Sequence, residues 1–167
     1  MSKAGQYTFT GISDQADIAL FYLLKASKRT DFQKIIIEDK EWEDFTLVFD
    51  TYNEDYEVKS HKKPLSFSGV KKIITKKLNK QYGEKDKFRI VVRRLNKEFK
   101  ECYEYIHDYI LWIEIKGLNK DPIVKKFLDK KWSEDEILFL AKRVEIFEFG
   151  RIENIHQQIS EYFAYEY

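Results

Sequence analysis

The sequence has little cysteine, histidine, proline or glycine, and these shortages exclude several classes of protein. Its single cysteine, Cys102, excludes an internal disulfide framework and fits a reducing cytoplasm, which is the expected location. Three scattered histidines (His61, His107 and His156) do not form a zinc-type cluster. Any metal must therefore be held mainly by carboxylates, which favours magnesium or manganese over zinc. Two prolines and six glycines are spread along the chain, without an internal repeat, low-complexity tract or flexible linker.

Long hydrophobic runs are also missing. No apolar stretch approaches the ~20 residues that span a bilayer, and no signal peptide opens the chain, so we expect no membrane partner. A length of 167 residues is sufficient for one domain with a substantial core. We therefore expect a single domain over residues 1–167.

The net charge of +1 conceals a strong partition along the chain. Residues 31–58 carry ten acidic and two basic side chains, whereas residues 59–100 carry fifteen basic and three acidic ones. An acidic stretch followed by a basic one is typical of a metal site beside a phosphate-binding surface. Solvated faces of ordinary helices and strands give the same pattern, and charge alone does not decide between the two.

Hydrophobic periodicity predicts a mixed α/β fold. The first helix is expected over residues 15–28, with Ser13 or Asp14 as its N-cap. Its expected apolar face consists of Ala16, Ala19, Leu20, Leu23 and Leu24. The next elements are expected to be strands over residues 34–38, 44–50 and 55–60, a helix from Ser66 or Ser68 to Leu78, and a strand over residues 88–92.

The remaining chain is also expected to mix helices and strands. Residues 103–116 are rich in aromatic and apolar side chains and fit either a helix or a strand. Asp121-Pro122 begins a helix through residue 130, because proline is favoured in the first helical turn. Ser133 and Glu136 have the spacing of a capping box before another helix. A strand over residues 144–149 and a helix over residues 152–162 complete the chain.

The most informative spacing lies in the predicted hairpin of residues 44–60. A turn over residues 51–54 places Asp44 beside Lys59 or its neighbours, with Glu57 one side-chain step further along. Two carboxylates and a lysine on adjacent strands are the minimum set for metal-dependent cleavage of a phosphodiester. Asp44 and Glu57 would bind the metal, the Val58 carbonyl would be a further ligand, and Lys59 would bind phosphate or orient water. A one-residue slip of register separates them, and a surface hairpin with ordinary charge alternation is the alternative.

The order helix–strand–strand–strand–helix–strand, with Asp44 before Glu57-Val58-Lys59, resembles the PD-(D/E)xK restriction-endonuclease-like superfamily. Gly11-Ile12-Ser13-Asp14-Gln15-Ala16 and Tyr56-Glu57-Val58-Lys59-Ser60 resemble one branch more narrowly. That branch is the double-stranded-DNA nuclease domain of bacterial anti-phage effectors, including CBASS effectors and NTPase-coupled systems. The resemblance implies a restriction-endonuclease-like α-β-β-β-α-β core with a C-terminal α/β extension.

The same resemblance implies a function. We expect a magnesium- or manganese-dependent deoxyribonuclease that acts on duplex DNA as a degradative effector in anti-phage defence. Members of this branch usually form the effector part of a longer chain, so the expected partners are a second copy of the chain or a sensor or NTPase module.

The resemblance also assigns roles to individual residues. Asp44 matches the metal-binding aspartate, Glu57 the second carboxylate ligand and Lys59 the catalytic lysine. Gln15 falls where the branch usually carries a glutamine in its first helix, and we expect it to contact nucleic acid. The superfamily often adds a glutamate from that helix, where this chain has only Asp14 and Asp17. The third metal ligand is therefore Asp17, Asp14 or no residue of the first helix, and we choose Asp17.

Nucleic-acid contacts are expected from basic side chains after the motif. Lys71, Lys72 and Lys76 lie on the following helix, and Arg93 follows the fourth strand, where each can contact a DNA phosphate. A solvated amphipathic helix is the alternative for the lysines. Two rival functions share the fold. One is a catalytically inactive module that binds protein or nucleic acid, and the other is a structure-specific resolvase or transposase-type endonuclease.

Overall fold

The structure is a computed structural model that describes residues 3–38, 44–108 and 121–165. The chain forms two compact units, the first made of residues 1–63, 83–94 and 146–167, and the second of residues 64–82 and 95–145. The expectation of a single domain stays a prediction.

The described residues contain six helices and five strands, which confirms the mixed α/β class. The first six elements follow the expected order of helix, three strands, helix and strand. In chain order the elements are α1 (Lys3–Ser27), β1 (Phe32–Ile37), β2 (Asp44–Phe49), β3 (Asn53–Lys59), α2 (Phe67–Leu78), β4 (Lys87–Val92), α3 (Lys97–Asp108), α4 (Pro122–Asp129), α5 (Glu134–Arg143), β5 (Val144–Glu148) and α6 (Ile152–Tyr165). No described helix is long and apolar enough to cross a bilayer.

The five strands form one mixed sheet in the order β1-β2-β3-β4-β5. The β1–β2 and β2–β3 pairs are antiparallel, whereas β3 and β4 run parallel. A parallel pair requires a long crossover connection, and residues 60–86, which include α2, supply it. The predicted strand boundaries agree with the sheet to within about two residues, as is usual for predictions based on patterns.

The core of the first unit combines side chains from α1, the sheet and α6. Tyr56 is central to this core, because its ring stacks on Phe45 at 4.6 Å between centroids and lies 4.7 Å from Tyr22. The predicted apolar face of the hairpin is confirmed. The buried members of the core are Ile18, Ala19, Tyr22, Ala26, Phe45, Leu47, Phe49, Tyr56, Val58, Val91 and Ile155.

Helix α1 differs from its prediction in length and in its buried face. It begins at Lys3, so Ser13 and Asp14 lie inside the helix and the predicted N-cap is wrong. The predicted apolar face is only partly confirmed, because Ala19 is fully buried as expected, whereas Leu20 is 39% exposed and the fully buried Ile18 was not assigned to that face. Residues 18–24 are all apolar, and such an unbroken run gives no helical period from which one face can be chosen.

The second unit packs short helices around aromatic side chains. Phe67 from α2 contacts both Phe99 and Phe127 edge to face, each with ring centroids 5.1 Å apart. The predicted helix starts are confirmed, since Asp121 caps α4 and Ser133 forms a capping box at the start of α5. Within the predicted segment 103–116, α3 covers the residues to Asp108, and residues 109–116 lie outside the described residues.

We predict that the buried face of α1 stabilises the first unit and that its exposed face does not. Ile18→Ala removes a fully buried side chain and should lower the free energy of unfolding by about 2–5 kcal/mol. Leu20→Ala on the same helix is the matched control and should change it by less than about 0.5 kcal/mol. Urea denaturation followed by circular dichroism measures both, and equal losses would contradict the assigned face.

Candidate functional site

The β2–β3 hairpin places Asp44 directly opposite Glu57, and Thr46 opposite Asp55. The Phe49 amide donates a hydrogen bond to the Tyr52 carbonyl at 3.0 Å, which closes a two-residue turn. The predicted turn was longer, and Asp44 was expected beside Lys59 or its neighbours, with Glu57 one side-chain step further along. The observed pairing of Asp44 with Glu57 therefore differs by two residues from a pairing with Lys59. Because side chains on the same face of a strand are two residues apart, Asp44, Glu57 and Lys59 still share one face of the hairpin.

Asp44 and Glu57 form a buried pair of carboxyl groups. They are 6% and 2% exposed, and the Lys59 Nζ atom lies 2.9 Å from Glu57 Oε1. The pKa of Glu57 is raised from 4.5 to about 7, because burial and a hydrogen bond with Asp44 raise it more than the neighbouring Lys59 lowers it. We therefore expect the pair to share a proton near neutral pH, because two adjacent buried carboxylates cannot both ionise cheaply.

Further acids lie on the same face. The hydroxyl oxygen of Thr46 is 2.7 Å from Asp55 Oδ1 and 3.0 Å from Glu38 Oε1, so it links two more carboxyl groups. Lys59 provides the positive charge beside Glu57. We call Glu38, Asp44, Thr46, Asp55, Glu57 and Lys59 the acidic cluster.

The acidic cluster supplies only part of the predicted metal site. Asp17, the chosen third ligand, instead accepts a hydrogen bond from His156, with 2.7 Å between Nε2 and Oδ2. Across residues 3–38, 44–108 and 121–165, no group of three or more His, Cys, Asp or Glu side chains is arranged to hold a metal ion. Val58 is fully buried and pairs with Val91 in the sheet. Magnesium or manganese binding therefore stays a prediction, and we derive no chemical step from it.

Two residues predicted to contact nucleic acid are held inside the first unit. Arg93 donates a hydrogen bond from Nε to the Ser60 carbonyl, and its NH2 group lies 2.5 Å from Asp14 Oδ2. This ion pair uses both the arginine that was expected to bind phosphate and the aspartate that was considered as a metal ligand. Gln15 is only 7% exposed, which leaves little of its side chain for a ligand.

The predicted lysines of α2 divide into one anchored residue and two exposed ones. Lys71 donates a hydrogen bond to the Lys131 carbonyl, and its Nζ atom lies 3.8 Å from Glu136 Oε2. Lys72 and Lys76 are exposed and lie one helical turn apart. The outer face of α2 therefore presents positive charge to the solvent, as the sequence predicted.

The second unit also contains a cavity of about 520 Å³, which we call the basic cavity. At this cavity the Lys130 Nζ atom lies 4.7 Å from the centroid of the Phe67 ring and 4.0 Å from Glu98 Oε2. The hydroxyl oxygens of Ser66 and Ser68 are 3.1 Å apart at the start of α2. Its lining residues are Ser66, Phe67, Ser68, Lys71, Lys72, Asn96, Glu98 and Lys130. Three lysines against one glutamate give the lining a positive charge.

Sequence reasoning identified two of the three lysines of the basic cavity and missed Lys130. Lys130 follows α4, far from α2 in sequence, and only the packing of Phe67 against Phe127 brings the two helices together. The sequence predicted that a helix ends at residue 130, but no pattern indicated which other helix this one would pack against.

A second polar group was also missed, and it lies in the first unit. Arg89 donates to the Tyr56 hydroxyl at 3.1 Å, the hydroxyl donates to Glu54 at 2.8 Å, and Arg89 lies 3.3 Å from Glu54. Burial raises the pKa of Tyr56, so its hydroxyl stays protonated. Each charge in this group has an opposite charge beside it, which indicates a structural role.

We predict that Glu57 makes the fold less stable as the pH rises. Because its pKa is raised from 4.5 to about 7 in the folded chain, the folded state binds more protons than the unfolded state between these values. The free energy of unfolding should therefore fall across that window, and Glu57→Gln should remove this contribution. Urea titrations at about pH 5 and about pH 8 measure it.

The control for this titration is Glu84→Gln, which removes an exposed carboxylate. It should keep the pH dependence of the wild type. If the wild type and Glu57→Gln show the same dependence on pH, the buried carboxyl pair does not share a proton as described.

The chain is similar to solved structures of Cap4 SAVED/CARF-domain containing receptors. The Acinetobacter baumannii receptor with the cyclic trinucleotide 2'3'3'-cAAA is 18% identical, with a TM-score of 0.65 over 91% of this chain and 34% of the receptor. The same receptor with 3'3'3'-cAAA is 17% identical, with a TM-score of 0.64 over 92% of this chain and 38% of the receptor. The Moraxella osloensis receptor is 17% identical, with a TM-score of 0.66 over 93% of this chain and 38% of the receptor.

These comparisons show a shared fold, and this chain spans about a third of the length of the receptors. No protein-family model matches the chain, and no curated protein matches it. The expected function is corrected by the structural neighbours, which are described as receptors, two of them with a cyclic trinucleotide. The prediction of a metal-dependent endonuclease that degrades duplex DNA is therefore wrong, and the alternative of a binding module agrees better with them.

Proposed function

We propose that this chain is a nucleotide-binding module of a cytoplasmic receptor in anti-phage defence, built on a restriction-endonuclease-like core without its catalytic function. The observation that carries the proposal is the fold shared with receptors of cyclic trinucleotides over 91–92% of the chain. Because the chain spans about a third of those receptors, further domains or a second copy would complete the working protein.

The basic cavity supplies the chemistry that a nucleotide requires. Its volume of about 520 Å³ lies within the range of small-molecule sites in proteins. Lys72 and Lys130 can neutralise phosphate oxygens, and the Ser66 and Ser68 hydroxyl groups can donate hydrogen bonds to them. The positive end of the α2 dipole lies at the same two serines and also favours an anion.

The acidic cluster supports binding over cleavage. Lys59 contacts Glu57 at 2.9 Å, and the pKa of Glu57 is raised to about 7, so this face is occupied by interactions among its own side chains. A negatively charged ligand would be repelled by the remaining carboxylates of Asp55 and Glu38. The cluster therefore contributes to the fold of the hairpin, and ligand recognition is assigned to the basic cavity.

We predict that the 167-residue chain binds a cyclic triadenylate and that Lys72 is required. Isothermal titration calorimetry should give saturable binding for the wild type and at least tenfold weaker binding for Lys72→Glu, a loss of about 1.4 kcal/mol or more. Lys85→Glu makes the same change of charge at an exposed lysine of the first unit. It should stay within about twofold of the wild type, since surface charges away from a site alter affinity little.

Three outcomes would contradict this proposal. The first is the absence of binding by the wild type, and the second is equal weakening by the Lys72 and Lys85 variants. The third is cleavage of plasmid DNA by the wild type in magnesium that is lost in Asp44→Ala and Lys59→Ala, because a binding module leaves the plasmid intact. A linear triadenylate serves as the comparison ligand, and equal affinity for it would indicate general phosphate binding.

A further inference from the structure

Strand β1 forms one edge of the sheet. Among the strands that the described residues form, β2 is its one neighbour. Lys34, Ile36 and Glu38 are exposed there, and the Ile36 side chain is 43% exposed although it is large and apolar. An edge with an exposed apolar residue and no proline is a template for pairing with another strand.

The backbone at this edge has donors and acceptors in position to pair. The Glu38 amide donates to the Asp44 carbonyl at 2.9 Å, so the backbone of Glu38 is directed toward β2. Because the direction of the backbone N–H and C=O groups alternates along a strand, those of Ile36 also point toward β2, whereas those of Ile35 and Ile37 point away from it. The pairing with β2 is regular from Lys34 to Ile37. The outer edge is therefore a straight ladder.

We propose that β1 of a second copy of this chain pairs antiparallel with this edge, about a two-fold axis at Ile36. Ile35 then exchanges two hydrogen bonds with Ile37 of the second copy. Lys34 lies opposite Glu38 of the second copy, and symmetry makes this contact twice. Ile36 lies opposite itself at a non-hydrogen-bonded position, where the side chains approach most closely.

Charge complementarity selects this arrangement. The sequence Lys34-Ile-Ile-Ile-Glu38 places opposite charges at the two ends of an apolar run. A parallel pairing in register would set Lys34 against Lys34 and Glu38 against Glu38, and like charges directly opposite are destabilising. A register shifted by two residues would set Lys34 against Ile36 and lose both ion pairs. The self-complementary register buries Ile36 and pairs both charges, and a dimer of this kind is independent of the basic cavity.

Disulfide trapping tests the two-fold axis. Opposite residues at a non-hydrogen-bonded position have Cα atoms about 4.5 Å apart, which a disulfide can bridge. Ile36→Cys should therefore form a covalent dimer under mild oxidation, while buried Cys102 does not compete. Lys34→Cys is the control, since two such cysteines would lie about 13 Å apart along the strands. Absence of the dimer with Ile36→Cys, or equal trapping with Lys34→Cys, would overturn the proposal.

Charge reversal tests the register without a covalent bond. Sedimentation equilibrium should show that Lys34→Glu weakens the dimer at least tenfold, because it places two acids opposite each other. The double variant Lys34→Glu with Glu38→Lys should restore association to within about threefold of the wild type. A double variant that associates as weakly as the single one, with both folded by circular dichroism, would overturn the pairing.

Discussion

The facing of Asp44 and Glu57 across the β2–β3 hairpin is the constraint on which the rest of the first unit depends. Side chains alternate between the faces of a strand, so this register also sets Phe45 opposite Tyr56. Their rings stack at 4.6 Å on the face that contributes to the core with Tyr22 of α1. A slip of one residue would move the carboxyl groups into the aromatic core. The register of the β2–β3 pair therefore determines both the aromatic core on one face of the hairpin and the acidic cluster on the other.

Burying two carboxyl groups side by side has an energetic cost, and the neighbouring groups reduce it. The pKa of Glu57 is raised to about 7, which favours its neutral form, and the Lys59 Nζ atom lies 2.9 Å from Glu57 Oε1 and neutralises charge there. These contacts keep Asp44, Glu57 and Lys59 engaged with one another. In the proposed function, Lys72 and Lys130 of the basic cavity supply the positive charge for a phosphate-bearing ligand.

The sequence was sufficient for the element order and for the apolar face of the hairpin, because the strict alternation of Phe45, Leu47 and Phe49 places these side chains on one face of the strand. It was insufficient for α1, where seven consecutive apolar residues hide the helical period, and for the hairpin register, which the two-residue turn determines. The partners of Asp17 and Arg93 could not be predicted either. His156 and Asp14 lie far from them in sequence, and only the packing of the chain brings them together.

The central claim is that Asp44 and Glu57 face each other as a buried pair that shares one proton. A pH titration of the Glu57 carboxyl carbon by nuclear magnetic resonance tests it most directly, with Glu84 as the exposed reference. The account predicts an apparent pKa of about 7 for Glu57, which returns toward its ordinary value in Asp44→Asn. A Glu57 pKa near 4.5 in the wild-type chain would contradict the claim.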